Sequence, residues 1–307
     1  MGEWKEYKLG EIADIIPGFA FKSKDFGLVG EYVVKIKDII PPCINIMSAD
    51  KVDISEYNAS RLEKYILHEG DYVVAMTGAT IGKVGKLKVK VKAFLNQRVA
   101  KIKAKDGIYD NFIYYMLCTD DFQGFIQNNI DSNSAQENIS ANSIARFPVL
   151  LPSISEQKHI ASILTSLDDK IDLLHRENAT LEVMAETLFR QWFIEEAKED
   201  WKEGQLGDVC LYVTEKIDIS NVDVDTYIST ENMCPNKQGV VEASSIPENV
   251  KVTKYIQDDI LLSNIRPYFK KIWLADRNGA CSNDVLCIRS KSEDLMKEFR
   301  LCLDSFI

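Results

Sequence analysis

The sequence predicts an α+β protein: two mixed sheet/helix modules joined by a long coiled-coil helix. Three observations carry that expectation. The opening Trp4-Lys5-Glu6-Tyr7-Lys8-Leu9-Gly10-Glu11-Ile12 returns as Trp201-Lys202-Glu203-Gly204-Gln205-Leu206-Gly207-Asp208-Val209, with five of nine positions identical and Glu/Asp and Ile/Val exchanges at two more. Residues 1–152 are short apolar runs punctuated by glycine and proline, the mark of strands and turns. From 155 to 197 there is neither Gly nor Pro, and apolar residues recur at spacings of four and three. A module repeated on either side of a helix suits recognition of two similar things at a set distance. The domains are expected at 1–152, 153–200 and 201–307.

In the first module, strands are expected at 31–37, 71–76, 82–91 and 94–103. A helix is expected at about 110–128, where Phe112, Tyr115, Met116, Phe122, Phe125 and Ile126 recur at helical spacing behind Asp110 as cap. The spacer helix begins after Pro152 with Ser155 as N-cap and would reach roughly 64 Å at 1.5 Å per residue. Its seam runs through Ile160, Leu164, Leu167, Ile171, Leu174, Asn178, Leu181, Ala185, Leu188 and Trp192, and demands a partner helix. Asn178 either selects the register of that pairing or touches solvent where the seam flares. In the second module, Asp258-Asp259-Ile260-Leu261-Leu262-Ser263-Asn264 echoes Gly70-Asp71-Tyr72-Val73-Val74-Ala75-Met76, and Ile265-Arg266-Pro267-Tyr268-Phe269-Lys270 echoes Gly78-Ala79-Thr80-Ile81-Gly82-Lys83. Phe299 to Ile307 resembles the start of the helix at 112, so the second module reads as one lacking its last part.

The composition, 46% hydrophobic and 27% charged, describes a globular chain able to bury real cores. No apolar run approaches the roughly 18 residues of a membrane span, and the N-terminus lacks a signal-peptide order, so a cytoplasmic protein is expected. Seven cysteines without a Cys-x-x-Cys read as reduced, mostly buried thiols. The net charge of −10 is uneven: residues 1–152 carry 19 basic and 19 acidic side chains, whereas 153–200 carry 5 and 11. Acids are expected on the outer faces of the spacer, turned to protein or solvent. Within the neutral module, the 24 residues 82–105 hold nine Lys or Arg and no acid. The runs 86-88-90-92 and 101-103-105 have period two, which on a strand puts each set on one face. Any single lysine there reads as solvated; the stretch as a whole reads as a phosphate-binding surface.

Three segments carry a family resemblance. Pro148-Val149-Leu150-Leu151-Pro152, Glu156-Gln157-Lys158-His159-Ile160-Ala161-Ser162-Ile163-Leu164 with Leu167-Asp168-Asp169-Lys170-Ile171, and Leu188-Phe189-Arg190-Gln191-Trp192-Phe193 closely resemble the central conserved region of type I restriction-modification specificity (S) subunits. The two module openings, Gly18-Phe19-Ala20-Phe21-Lys22-Ser23, Thr77-Gly78-Ala79-Thr80-Ile81-Gly82-Lys83, Asn96-Gln97-Arg98-Val99 and Ala135-Gln136-Glu137-Asn138-Ile139-Ser140 extend the resemblance over essentially the whole chain. It implies two target recognition domains, each reading half of a bipartite double-stranded DNA sequence, separated by two long helices that pack antiparallel and dock DNA methyltransferase (M) subunits, with restriction (R) subunits joining indirectly. The family pattern ends with a second long helix that this sequence does not contain. The chain is then expected to be a fragment or truncated variant, or to pair its one helix with a second copy as a homodimer.

No catalytic constellation is legible. Gly78 to Val84 resembles a nucleotide loop but has three residues between its glycines where four are required, and Val84 where Ser or Thr must stand. An Asn-Pro-Pro-aromatic methylation motif does not occur, and His68, His159 and His175 lie in unrelated contexts. A non-catalytic binding subunit is expected, with no cofactor of its own; S-adenosylmethionine, ATP and magnesium belong to the implied partner subunits. For DNA, Lys22, Ser23, Lys24, Lys83, Lys86 and Arg98 are the phosphate candidates, and Thr77, Thr80, Gln97, Asn133, Ser134 and Gln136 the base-reading candidates. Asn96 and Gln97 could instead satisfy backbone groups, and Ser132 to Gln136 could be a helix-capping loop. Two other functions fit the same residues: the recognition segment of a single-chain restriction enzyme, and a coiled-coil assembly protein without specific DNA binding.

Overall fold

A computed structural model describes residues 4–130, 137–197, 204–248 and 251–291. The chain divides into two units, Met1–Asp172 and Leu173–Ile307. The first is built on a six-stranded sheet in the order Ala13–Pro17, Val99–Ala104, Tyr72–Ala75, Val84–Lys86, Cys43–Ile44, Ile39–Ile40. A five-stranded sheet runs Phe26–Gly27, Asp50–Val52, Glu31–Val34, Ala93–Leu95, Ile66–Leu67. The strand Tyr72–Ala75 is wholly buried because both of its faces are covered. Tyr72 and Val74 meet Phe112, Ile113, Leu117, Phe122 and Ile126 of the helices, while Val73 and Ala75 meet Val34, Leu67, Leu95 and Val99. Alternating side chains of one strand thus serve two cores, which is why the segment reads as an unbroken apolar run.

Several expected elements are shorter than the sequence suggests. The run at 82–91 is a strand only over Val84–Lys86, and 94–103 is two strands, Ala93–Leu95 and Val99–Ala104, broken by a turn at 96–98. The 110–128 helix is two, Asp110–Leu117 and Asp120–Asn128, with Thr119 capping the second by accepting from Phe122 N at 3.4 Å. Asp110 lies inside the first turn rather than at the cap, and accepts from Ala104 N (2.9 Å) and the Tyr72 hydroxyl (3.1 Å). The long helix is Ile154–Arg190, 37 residues or roughly 56 Å, extended by a π turn over Gln191–Glu195. Its cap is Ser153, whose Oγ accepts from Glu156 N at 3.4 Å; Ser155 is already helical.

The helix is tied to the first module by named bonds. Gln157, 2% exposed, donates to Pro152 O and accepts from Tyr109 N, both at 2.9 Å. Trp4 Nε1 reaches Glu156 at 3.3 Å, Tyr115 donates to Asp168 at 2.8 Å, and Lys88 pairs with Asp172. Burial pushes the Tyr115 hydroxyl up to about 12, so it remains the donor. Asp168 and Asp172, expected on an outer face, therefore turn inward.

The second module repeats the first in topology. Its four-stranded sheet Cys210–Tyr212, Val285–Ser290, Ile260–Ser263, Ile272–Leu274 matches, in order and antiparallel sense, the first four strands of the six-stranded sheet. The parallel pair Tyr227–Ile228 and Gly279–Cys281, with Lys251–Tyr255 antiparallel beside it, matches Glu31–Val34, Ala93–Leu95 and Ile66–Leu67. The doubled opening forms one-turn helices, Leu9–Ile12 and Leu206–Val209, closed by Lys8 N on Glu11 and Gln205 N on Asp208, each at 2.7 Å. Lys105 and Lys291 each donate to the carbonyl of the shared glycine, Gly10 or Gly207. Trp201, Lys202 and Glu203, like Phe299 to Ile307, lie outside the described residues.

The repeat also places Asp258 (φ 71) where the first module has Gly70 (φ 92). A side chain in the left-handed region costs about 1 kcal/mol. Asp258→Gly is expected to raise the stability of the second module by about that amount, read as a higher melting temperature or denaturation midpoint.

Candidate nucleic-acid interface

One end of the first module's main sheet gathers four backbone segments. The turn after Tyr72–Ala75 folds back with Gly82 N on Ala75 O and Ala75 N on Lys83 O, both 2.9 Å. Met76 N donates to Arg98 O (2.9 Å), seating the 96–98 turn beside it. Gly18 N on Val99 O and Phe19 N on Leu95 O, both 2.9 Å, bring in the third segment. A Cβ at Gly18 would lie 2.1 Å from Asn96 O, so only glycine permits that approach. The fourth segment arrives through Gly78 N on Glu137 O (3.1 Å) and Ile139 N on Met76 O (2.9 Å).

The expected contact residues separate on this frame. Lys83, Gln97 and Arg98 are exposed on the adjoining turns, and their side chains bond to no described residue. Gln97 is thus not engaged in satisfying backbone groups. Lys22, Ser23 and Lys24 are exposed around the short 3-10 turn Ser23–Asp25, with Lys24 within 3.9 Å of Asp25 and 3.8 Å of Glu56. Thr77 is 2% exposed and donates to Glu137 O at 2.7 Å, which removes it as a base reader. The Thr80 hydroxyl is buried with no described partner and presents nothing outward. Lys86 lies inside, donating to Asn111 at 2.7 Å and standing 4.8 Å over the Tyr114 ring; burial lowers its pKa. It is a packing residue, not a phosphate contact. Asn133, Ser134 and Gln136 lie outside the described residues.

The basic stretch is also dispersed. Lys86, Lys88, Lys92, Lys101 and Lys105 are engaged by Asn111, Asp172, Glu31, the carbonyl of Ile66 and the carbonyl of Gly10. Lys83, Lys90, Arg98 and Lys103 remain exposed, without a described partner. Period two fails as a guide because residues 87–92 leave the sheet after Lys86.

The second module repeats two of these junctions. Asn264 N donates to Asp284 O (2.9 Å) as Met76 N does to Arg98 O, and Ser263 N to Lys271 O (3.0 Å) as Ala75 N does to Lys83 O. The ladder pairs Ile260–Leu274 and Leu262–Ile272 then set Val84 against Ile272. The turns have equal length, and Gly78 corresponds to Arg266 and Gly82 to Lys270, one residue from the echo of 78–83 by 265–270. The echo of Gly70–Met76 by Asp258–Asn264, continued without a gap, gives this register and sets Lys83 against Lys271; no residue between Met76 and Gly82 is identical to its counterpart, which leaves the turn itself without a marker.

On the long helix, Ile160 and Leu164 line an apolar cavity of about 690 Å³ within the first unit, with Trp4, Phe112, Met116 and Phe125. Ile160 also packs against the first module's core. Beyond them the seam is open: Leu167 is 57% exposed, Ile171 51%, Leu181 60%, and Leu174, Leu188 and Trp192 are exposed beside an exposed Asn178. Of the six described cysteines only Cys210, Cys281 and Cys287 are buried. Among the described residues no cluster of His, Cys, Asp or Glu could hold a metal, and no helix is long and apolar enough to cross a membrane.

Two modules that share a four-stranded antiparallel core and a three-stranded mixed arrangement, each presenting turns at one sheet end and linked in sequence by a long helix, define the class of two-module specificity proteins. The fold matches that of the type I restriction-modification system S subunit from M. genitalium, with a TM-score of 0.55 at 14% identity over 99% of this chain and 77% of that one. The model of the type I restriction modification DNA specificity domain matches residues 1–183, and the chain belongs to that family. The EcoBI specificity subunit of Escherichia coli is 28% identical over 92% of this chain and 59% of its own length. The MjaIX specificity subunit of Methanocaldococcus jannaschii is 23% identical over 69% of this chain and 48% of its own. The chain thus spans about half to three fifths of these relatives.

Proposed function

We propose that this chain reads a bipartite double-stranded DNA target as the specificity component of a type I restriction-modification complex, and that it binds without catalysing. The observation that carries the reading is the pair of equivalent turn clusters. Lys83 and Arg98 stand free on adjoining turns in one, and the same backbone frame recurs in the other. Phosphates take the cations, and Gln97 offers the two-sided amide that pairs with an adenine edge. Methyltransferase subunits supply the chemistry and S-adenosylmethionine; restriction subunits supply ATP- and magnesium-dependent cleavage. Assembly with the methyltransferase subunits followed by genome-wide mapping of methylated sites tests the whole; a complex that forms yet methylates no defined site overturns it.

Lys83→Ala with Arg98→Ala is expected to lower the salt dependence of duplex binding, the slope of log K against log salt, by about two. The open seam from Leu167 to Trp192 supports a helical partner, and we propose a second copy of the chain in the absence of other subunits. Light scattering on the isolated chain is expected to give a dimer, and a strict monomer would remove that pairing.

A further inference from the structure

The two modules use one turn frame but fill it oppositely. In the first, the left-handed positions are Gly78 (φ 73) and Gly82 (φ 80), which adopt them freely. In the second, the same positions are Arg266 and Lys270, each at φ 51. Two cationic residues that carry a Cβ therefore hold a backbone conformation that glycine would hold without strain. Strain that survives in an exposed turn needs something to hold it, and here a neighbouring turn does. Asn236 (φ 55) and Lys237 (φ 59) are themselves left-handed and donate backbone N–H groups to Phe269 O (2.8 Å) and Lys270 O (2.9 Å). Pro267 presets the first of the three residues between the two strained positions.

The side chains so presented are of one kind. Arg266 and Lys270 are exposed, and their side chains bond to no described residue. Between them Tyr268 is 70% exposed, with Phe269 packed against it at 4.7 Å between ring centroids. The first module has nothing comparable: its turn carries Ala79, a buried Thr80 hydroxyl and Ile81 at 6% exposure. A large exposed ring flanked by two cations held in place by the backbone suits a polyanion with stackable faces. Strained backbone of this sort clusters at binding sites, and aromatic or apolar wedges between base steps are a known way to grip a duplex.

We infer that Ile265–Lys270 is the DNA-contact element of the second module, in which Arg266 and Lys270 take backbone phosphates and Tyr268 enters the groove as a wedge between bases. The inference rests on the DNA-binding reading above and adds an asymmetry to it: the second half-site is gripped by insertion, the first by surface contact alone. A peptide partner would use the same ring and charges differently and is separated by the test.

The test selects duplexes from a pool of 40-base-pair DNA with randomised centres, using the chain assembled with its methyltransferase subunits. Wild type is expected to enrich a two-part motif. Arg266→Gly with Lys270→Gly is expected to melt a few degrees higher, because the strain is relieved, and to lower the salt slope by about two. Tyr268→Ala is expected to weaken binding to the enriched duplex by about tenfold, with one half of the motif blurred and the other intact. Tyr268→Phe is expected to keep both. The inference is overturned if the glycine pair leaves the slope unchanged or lowers the melting temperature, or if Tyr268→Ala binds within twofold of wild type. If wild type itself enriches nothing and binds without salt dependence, the DNA-binding reading fails, and this inference with it.

Discussion

Arg289→Met is expected to destabilise the second module by about 3 kcal/mol, the lower end of what removing one partner from a buried ion pair costs, because Arg289 itself keeps some contact with solvent. Asp259 is 1% exposed, and Arg289 grips it from both sides, Nε to Oδ1 and a terminal nitrogen to Oδ2, each at 2.7 Å. That grip raises the Arg289 pKa. Asp259 also accepts from Ile256 N at 2.9 Å, closing the turn before Ile260–Ser263. Without Arg289 the carboxylate keeps its burial and loses its counter-charge. Hydrogen exchange over Val285–Ser290 should accelerate by two to three orders of magnitude while the first module keeps its protection. The equivalent acid, Asp71, has a weaker arrangement: Lys101 stands 3.5 Å away and donates chiefly to Ile66 O. Lys101→Met should therefore cost less than Arg289→Met.

Gln157→Leu is expected to cost the first module about 2–3 kcal/mol by leaving Tyr109 N–H and Pro152 C=O without their partner. The side chain is almost fully buried, and leucine fills its volume without replacing either bond. Tyr109 is the N-cap of Asp110–Leu117, so faster exchange should appear there and at the start of the long helix together. Glu156→Ala, which removes only the exposed 3.3 Å contact with Trp4, should change stability by less than about 1 kcal/mol. Equal losses for the two variants would show that Gln157 is not the joint between helix and module.

Glu156-Gln157 was readable as a family motif, yet nothing in its spacing said that Gln157 faces inward while Glu156 stays out. The same division recurs at the candidate interface. The exposure of Lys83, Gln97 and Arg98 was legible because turn residues between apolar runs are forced to the surface. Thr77, Thr80 and Lys86 were misjudged because polarity alone does not say which side of a turn a residue occupies. Thr77 bonds a carbonyl 60 residues away in sequence, and Lys86 lies on a tyrosine ring. Arg266, Tyr268 and Lys270 are not legible as contact residues because the turn shares no residue with its counterpart, and two registers one residue apart fit the sequence until the strand ladder selects one. Along the seam, Ile160 and Leu164 face a cavity of the first module, a distinction that the heptad period does not make.

The sequence by itself determined the duplication, the α+β class, the long helix and the family, because each is written in local patterns: identical capping segments, apolar periodicity, and contiguous motifs. Only the tertiary structure decided which polar residues point outward, which lysines are already engaged, and which of two registers one residue apart joins the turn at Gly78 to the turn at Arg266. Those outcomes depend on backbone hydrogen bonds between segments far apart in the chain, and such bonds leave no trace in the side chains of either segment.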